Sequence, residues 1–300
     1  MALTLAEAAK LSEDVLLKGV IEIIIKDSPI LQKLPFIDVV GNSLKYNQEN
    51  ALPTVAFYAV GDTWAESAPT FTQKTATLTI LGGDADVDNY IQQTRSNIQD
   101  IEAAVIELKA KAMRHKYEDT FINGDGTSNT FEGIDVLCTS GQTVSMGTNG
   151  GALDMRYLDQ LIDKVLGGKP ELLLMSRRSR RDLTHLMRQL GSMEFGQDEF
   201  GNWVQFFNGI PVHINDWISD AKTVGTSNDC STIYAFQIGE GAVCGLQNKG
   251  IQIERIGELE TKDATRTRLK WYCSLANFST VKLAKLIGVR PVSVAFWEQG

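Results

Sequence analysis

The chain has 300 residues, 43% of them hydrophobic and 22% charged, with a formal net charge of -8. That length allows two modest cores, and the acidic total argues against a general grip on nucleic acid. Cys138, Cys230, Cys244 and Cys273 have no metal-finger spacing and read as free thiols; no secretory pattern opens the chain, and no segment could span a bilayer.

Residues 2–26 read as an amphipathic helix whose apolar side carries Leu5, Leu16, Val20 and Ile24. Pro29 and Pro35 stop it, and the stretch SPILQKLPFIDVVGN reads as extended. An arm this apolar needs a surface to lie on, either its own core or a neighbouring subunit. Residues 42–83 read as a long hairpin, with Leu44-Lys45-Tyr46 in one leg and Thr75 to Ile80 in the other. The span from Asn47 to Lys74 is too long for a structureless loop inside a compact domain. It is also too aromatic for a linker, with Phe57, Tyr58, Trp64 and Phe71 beside Glu66. Aromatics on an extended arm ordinarily cover a partner surface. Gly82 to Asp88 reads as a turn into the next helix.

Thr94 to Gly126 carries the longest helical pattern. Ile98, Ile101, Val105, Leu108 and Ala112 step by three and four, and Met113, Tyr117 and Phe121 form a second strip. Asn97 reads as the N-cap, and Asn123-Gly124 ends the helix. A helix of about 26 residues would be about 39 Å long, against a typical length of about 11–12 residues. The spacing predicts a strut whose inner strip packs on strands of 251–291. Its charged side, with Lys109, Lys116 and Glu118, is expected to face an adjacent subunit or the interior of an assembly.

A Gly/Ser/Thr-rich stretch from Thr139 to Gly151 marks a boundary. Beyond it, an α/β unit is expected. Helices are predicted over 153–166 and 176–190, the second with Leu183, Leu186, Met187 and Leu190 inward. Strands are predicted at 171–175, 210–214 and 232–236, with 191–201 as loop. From 251 the chain is strand-rich again, with one extended run from Thr265 to about Val289.

The chemistry in the sequence is sparse. Gly239-x-Gly241-x-x-x-Gly245 follows a strand, but no helix can open on those glycines, so it reads as a turn rather than a dinucleotide loop. Asn123 to Glu132 resembles a calcium loop but has Ser128 where glycine is needed and Ile134 where the bidentate Glu belongs. His115, His185 and His213 share no ligand spacing. Ser279-x-x-Lys282 lacks the companion motifs of an acyl-transfer site. Arg177, Arg178, Arg180 and Arg181 crowd the first turn of a helix, where the dipole disfavours cations. They read as a solvated face, as ion pairs to acids of another subunit, or as a nucleic-acid contact. The acidic total disfavours the last.

The order of parts carries the resemblance, together with GDTWAESAPTFTQKTATLTILGGDADVDNYIQQTRSNIQDIEAAVIELKAKAMRHKYEDTFINGD, TFEGI, LLLMSRRSRRDLTHLMRQLG and RLKWYCSLANFSTVKLAKLIGVRP. From Leu3 to Pro291 the chain resembles the major capsid protein of tailed double-stranded DNA bacteriophages, a fold shared with encapsulins. The resemblance implies an α+β fold with an N-terminal arm (1–41) and an extended loop over a neighbouring subunit (42–83). It implies a peripheral domain (84–150 and 251–300) with a spine helix over 94–123, and an axial α/β domain (151–250). It implies a non-enzymatic, cofactor-free shell subunit that self-assembles into pentamers and hexamers around double-stranded DNA. The expected partners are scaffolding, portal and possibly decoration proteins. The expected inter-subunit contacts are Leu16, Val20 and Ile24 on the arm, Trp64, Glu66 and Phe71 on the loop, and Arg177, Arg178, Arg180 and Arg181. Some members join a loop lysine to an asparagine of the next subunit. Lys45, Lys74 and Asn277 are not marked as a reactive set, and no cross-link is expected. The chain starts directly at the arm, which implies a separate scaffolding protein or an already mature form. An encapsulin-like compartment and, more weakly, an α/β enzyme in 152–250 are the alternatives.

Overall fold

The computed structural model describes residues 28–51, 53–95, 101–191, 194–197 and 203–291. The predicted arm helix with Leu16, Val20 and Ile24 lies outside these residues, as do the predicted cap Asn97 and the tail 292–300.

The elements run in order as α1 (Pro29–Lys33), β1 (Phe36–Asp38), β2 (Ser43–Ala51), β3 (Thr70–Thr77), β4 (Thr79–Asp88), α2 (Asn89–Arg95) and α3 (Ile101–Asn123). Then come α4 (Ile134–Leu137), β5 (Thr143–Ser145), β6 (Gly151–Ala152), α5 (Met155–Asp163), β7 (Leu172–Met175), α6 (Arg177–Leu190) and β8 (Glu194–Gln197). The chain closes with β9 (Trp203–Phe207), β10 (Ile210–Ile214), β11 (Lys222–Val224), β12 (Ser227–Phe236), β13 (Val243–Leu259), β14 (Lys262–Asn277) and β15 (Leu283–Arg290).

Three sheets organise these elements. One has four strands in the order β1-β13-β14-β4, one has nine, and β2 and β3 pair only with each other. The nine-stranded sheet separates the two main cores, and its strands show why. Along β7, Leu172 and Leu174 enter one core, and Leu173 and Met175 enter the other. Along β12, Tyr234 and Phe236 alternate in the same way with Ile233 and Ala235. A strand whose side chains alternate between two apolar layers must be apolar throughout, so LLLM has no polar position.

The long helix α3 belongs to the first core. Ile106, Ala110, Met113, Tyr117, Phe121 and Ile122 are buried there. Tyr117 stacks on Trp271 of β14 at 4.8 Å between ring centroids. Phe36 of β1 lies 5.3 Å from the same indole. The helix therefore packs on β14, as its spacing predicts, with Met113, Tyr117 and Phe121 inward as expected, but the other expected strip is only partly covered. Leu108 is 65% exposed, Ala112 is exposed and Val105 only half-buried. Glu118, expected outside, is buried.

Several local expectations are corrected. The stretch after Ser28 is helical, not extended: Ser28 Oγ accepts from the Leu31 amide, and Pro29 opens the turn with its φ already set. Gly82 to Asp88 is not a turn but part of strand β4, with Asp84 opposite Arg268 and Asp86 opposite Arg266. A side chain at Gly82 would strike the Leu269 carbonyl of β14, and one at Gly83 would meet the Lys109 stem of α3. The two glycines thus admit a close approach on both sides of the strand. The predicted loop 191–201 contains β8, which pairs with β9. Leu190 at the end of α6 is 67% exposed. The expected single run from Thr265 to Val289 breaks at the turn 280–282. Beyond the break β15 joins the nine-stranded sheet beside β12 and β5.

Candidate functional site

The hairpin formed by β2 and β3 stands apart from both main cores. Its legs pair from Ser43 with Thr77 through to Ala51 with Thr70. Its base rests on a third, small cluster of Val39, Leu246 and Ala276, against which Leu44, Tyr46, Ala76, Leu78 and Phe278 pack. Two further contacts fix the base: Tyr46 meets the Phe278 ring edge at 4.9 Å, and Gln48 Nε2 donates to the Asn277 carbonyl at 2.6 Å. The tip has no such support. Phe57 and Val60 are each 108% exposed, Trp64 79% and Phe71 64%, and Glu66 is exposed beside them. An apolar surface this large and this far from its own core is unusual on a monomer.

The arginine run opens α6. Ser176 caps the helix through its Oγ to the Ser179 amide, and Gly191 closes it in the left-handed conformation. Arg177 makes a bidentate pair with Asp216, at 2.5 and 2.7 Å. The guanidinium holds that carboxyl below its usual range. Arg178 turns inward and donates to the carbonyls of Asp220, Asp229 and Val289. Both residues thus have partners inside the chain. Arg180 Nε is buried without a hydrogen-bond partner, and Arg181 is exposed.

Acidic and basic side chains elsewhere neutralise one another. On β4 and β14, Asp84 and Asp86 make fork pairs with Arg268 and Arg266, all four at 2.6–2.9 Å. A half-buried group ties α4 to the nine-stranded sheet. Asp135 accepts from Lys222, Lys285 and the Tyr234 hydroxyl, each at 3.0 Å. Burial would raise the Asp135 carboxyl, but the two ammonium groups outweigh it and hold it below the usual range.

Among the described residues no side chains converge as a catalytic set would. The thiols are buried, and burial pushes Cys138 up to about 11 and Cys244 to about 12, away from nucleophilic thiolate. Gly239 and Gly241 lie in the turn between β12 and β13, with no helix at the strand end. In the loop after α3, Asp125 accepts from the amide of Thr127 and the hydroxyls of Thr127 and Thr130. Ser279 and Lys282 flank the short turn that switches the chain between sheets. A surface hollow of about 610 Å³ beside Thr143, Gln160, Asp163 and Lys164 is lined mostly by polar side chains. Among the described residues no group of three or more His, Cys, Asp or Glu is placed to hold a metal, and no helix is long and apolar enough to cross a membrane.

Comparison with known proteins agrees with this geometry. The SrpI encapsulin of Synechococcus elongatus PCC 7942 superposes with a TM-score of 0.70 at 20% identity, covering 97% of each chain. A structure from Mycobacterium phage Bobi gives 0.64 at 14% identity, over 98% of this chain and 100% of that one. The capsid of a native GTA particle gives 0.63 at 14% identity, over 87% and 89%. No curated protein sequence matches. The sequence model of the Phage capsid family matches residues 11–275. This match over most of the chain identifies it as a member of the phage capsid family, a shell-forming major capsid protein.

Proposed function

We propose that copies of this chain meet as pentamers and hexamers and close an icosahedral shell around double-stranded DNA in the virion. The observation that carries the reading is the uncovered hairpin tip, whose apolar side chains are left open by all the described residues. In a shell each tip lies on the neighbouring subunit, with Trp64, Glu66 and Phe71 in the contact. The arm residues Leu16, Val20 and Ile24 add a second contact. Arg180 and Arg181 supply charges for a neighbour's acids, since Arg177 and Arg178 are engaged internally. Many weak contacts then sum by avidity. The proposed division is an N-terminal arm (1–41), an extended loop (42–83), a peripheral domain (84–150 and 251–300) and an axial domain (151–250). Scaffolding, portal and decoration proteins are the expected partners, with assembly in the host cytoplasm. The net charge of -8 suits a container that encloses DNA without gripping it. Deleting 47–74 and imaging the purified product tests the central point. Dispersed subunits or aberrant assemblies are expected, and normal shells would overturn the role given to the hairpin.

The likeness to the SrpI encapsulin over 97% of the chain supports a second reading, a shell that holds a protein cargo. The contents of purified native particles separate the two: nucleic acid for the first, a stoichiometric enzyme for the second.

A further inference from the structure

We propose that the hairpin tip, residues 53–69, is a preformed knob that anchors on a second copy of this chain through Val55, Phe57 and Val60, with Tyr58 and Trp64 bracing it from within. The proposal rests on the shell reading above and names contacts which that reading leaves open.

The bracing is visible atom by atom. Tyr58 and Trp64 stack at 4.9 Å with their planes 15° apart. The Ala65 amide donates to the Tyr58 hydroxyl at 3.1 Å, tying the far side of the turn to the same ring. The Ala59 amide donates to Asp62 Oδ2 at 2.6 Å, and the Asp62 amide returns to the Ala59 carbonyl at 3.2 Å. Between them Gly61 takes a φ of 97°, a left-handed value that favours glycine. Further out, Ser67 Oγ donates to the Thr54 carbonyl at 3.0 Å. A segment with no hydrophobic core of its own is thus closed on itself by five contacts.

The same backbone sets the anchors apart. Tyr58 is taken up by its stack on Trp64, and Val55, Phe57 and Val60 are left open. Val55 is 90% exposed, and Phe57 and Val60 make no apolar contact that shields them. The legs place this knob about 25–30 Å from the base cluster, at about 3.4 Å per strand residue. Neither main core includes any residue from 47–74, and none of the described residues covers the knob. A shell of identical copies offers one covering surface for every knob. Order fixed before contact lowers the entropy lost on docking, which a loop tip otherwise pays. Trp64 then positions the knob through its stack on Tyr58 and adds the exposed remainder of its side chain to the contact, in support of the three anchors.

Three readouts test this on the full chain: near-ultraviolet circular dichroism of unassembled subunits, their melting temperature, and the critical concentration for shells by light scattering and microscopy. The paired Tyr58–Trp64 signal, defined by the difference from Trp64→Ala, is expected before assembly. The double variant Phe57→Ala/Val60→Ala is expected to keep that signal and the wild-type melting temperature, while its critical concentration rises about tenfold or more. Trp64→Ala is expected to raise the critical concentration by a smaller factor. Assembly of the double variant at the wild-type concentration would overturn the anchors, even if it lost capture of some other co-expressed protein. A larger effect from Trp64→Ala would make Trp64 the anchor, and a signal that appears only in shells would overturn the preformed knob. Failure of the wild-type chain itself to form shells would instead sink the shell reading and the docking with it, while the subunit spectrum still decides the bracing.

Discussion

Tyr117 is wholly enclosed by Phe36, Phe121, Phe131 and Trp271, and its hydroxyl has no hydrogen-bond partner. A buried hydroxyl without a partner lowers stability, and removing it relieves the cost. Tyr117→Phe should therefore stabilise the subunit by about 1 kcal/mol, read as a rise in denaturant midpoint. A loss of stability would show that the hydroxyl is bonded in solution. Asp135 predicts the opposite behaviour. Removing it strands two half-buried ammonium groups, and Asp135→Ala should cost about 2–3 kcal/mol, below the full value for a buried pair because the site is partly wet. Its folded-state carboxyl lies below the unfolded value, so its contribution is complete above the ordinary carboxylate range and fades as pH falls through the folded value. The stability gap between wild type and Asp135→Asn should accordingly narrow below about pH 4. A gap that widened there would reverse the assignment.

At the scale of elements, α3 shows what periodicity settles and what it leaves open. The steps of three and four establish a helix. They bring Met113, Tyr117 and Phe121 inward as found, but they do not choose between Leu108 and Ala112, which are exposed, and Ile106 and Ala110, which are buried, because both pairs repeat correctly. The choice falls to the surface on offer. The aromatic cluster of Phe36 and Trp271 takes the strip that carries Tyr117. Ile106→Ala should then cost about 2–4 kcal/mol, and Leu108→Gln should stay within about 0.5 kcal/mol in unassembled subunits. Equal losses would mean that the helix is rotated. Gly82 and Gly83 lie in a strand rather than a turn for a related reason. Glycine pairs mark turns in most settings, and only the tight contact of β4 with β14 and Lys109 gives them another use.

The whole molecule is a pair of cores on either side of one sheet, with a hairpin reaching away from both. Since neither core contains a residue from 47–74, deleting that span should leave the melting temperature of the subunit within about 3 °C of wild type while shells are lost. A collapse of the melting transition would mean that the hairpin supports the fold. The cross-strand pairs Asp84–Arg268 and Asp86–Arg266 fit the same separation of duties. They neutralise a sheet face within the subunit.

The sequence alone determined the kind of protein. The buried LLLM strand, the Ser176 and Gly191 caps of α6, the strut-length helix and the aromatic hairpin are all local patterns, written in residues a few positions apart. Local chemistry also announced the arginine run. It did not reveal that Arg177 meets Asp216 across 39 positions, or that Arg178 reaches the carbonyl of Val289 across 111. Those partners, the inward strip of α3, the strand made by Gly82 and Gly83 and the sheet change at 280–282 depend on which surfaces meet. That is a matter of long-range packing free energy, which no window along the chain contains. Tertiary structure alone decided them. It also decided that the hairpin tip should close on Tyr58 and Trp64 and leave Phe57 uncovered.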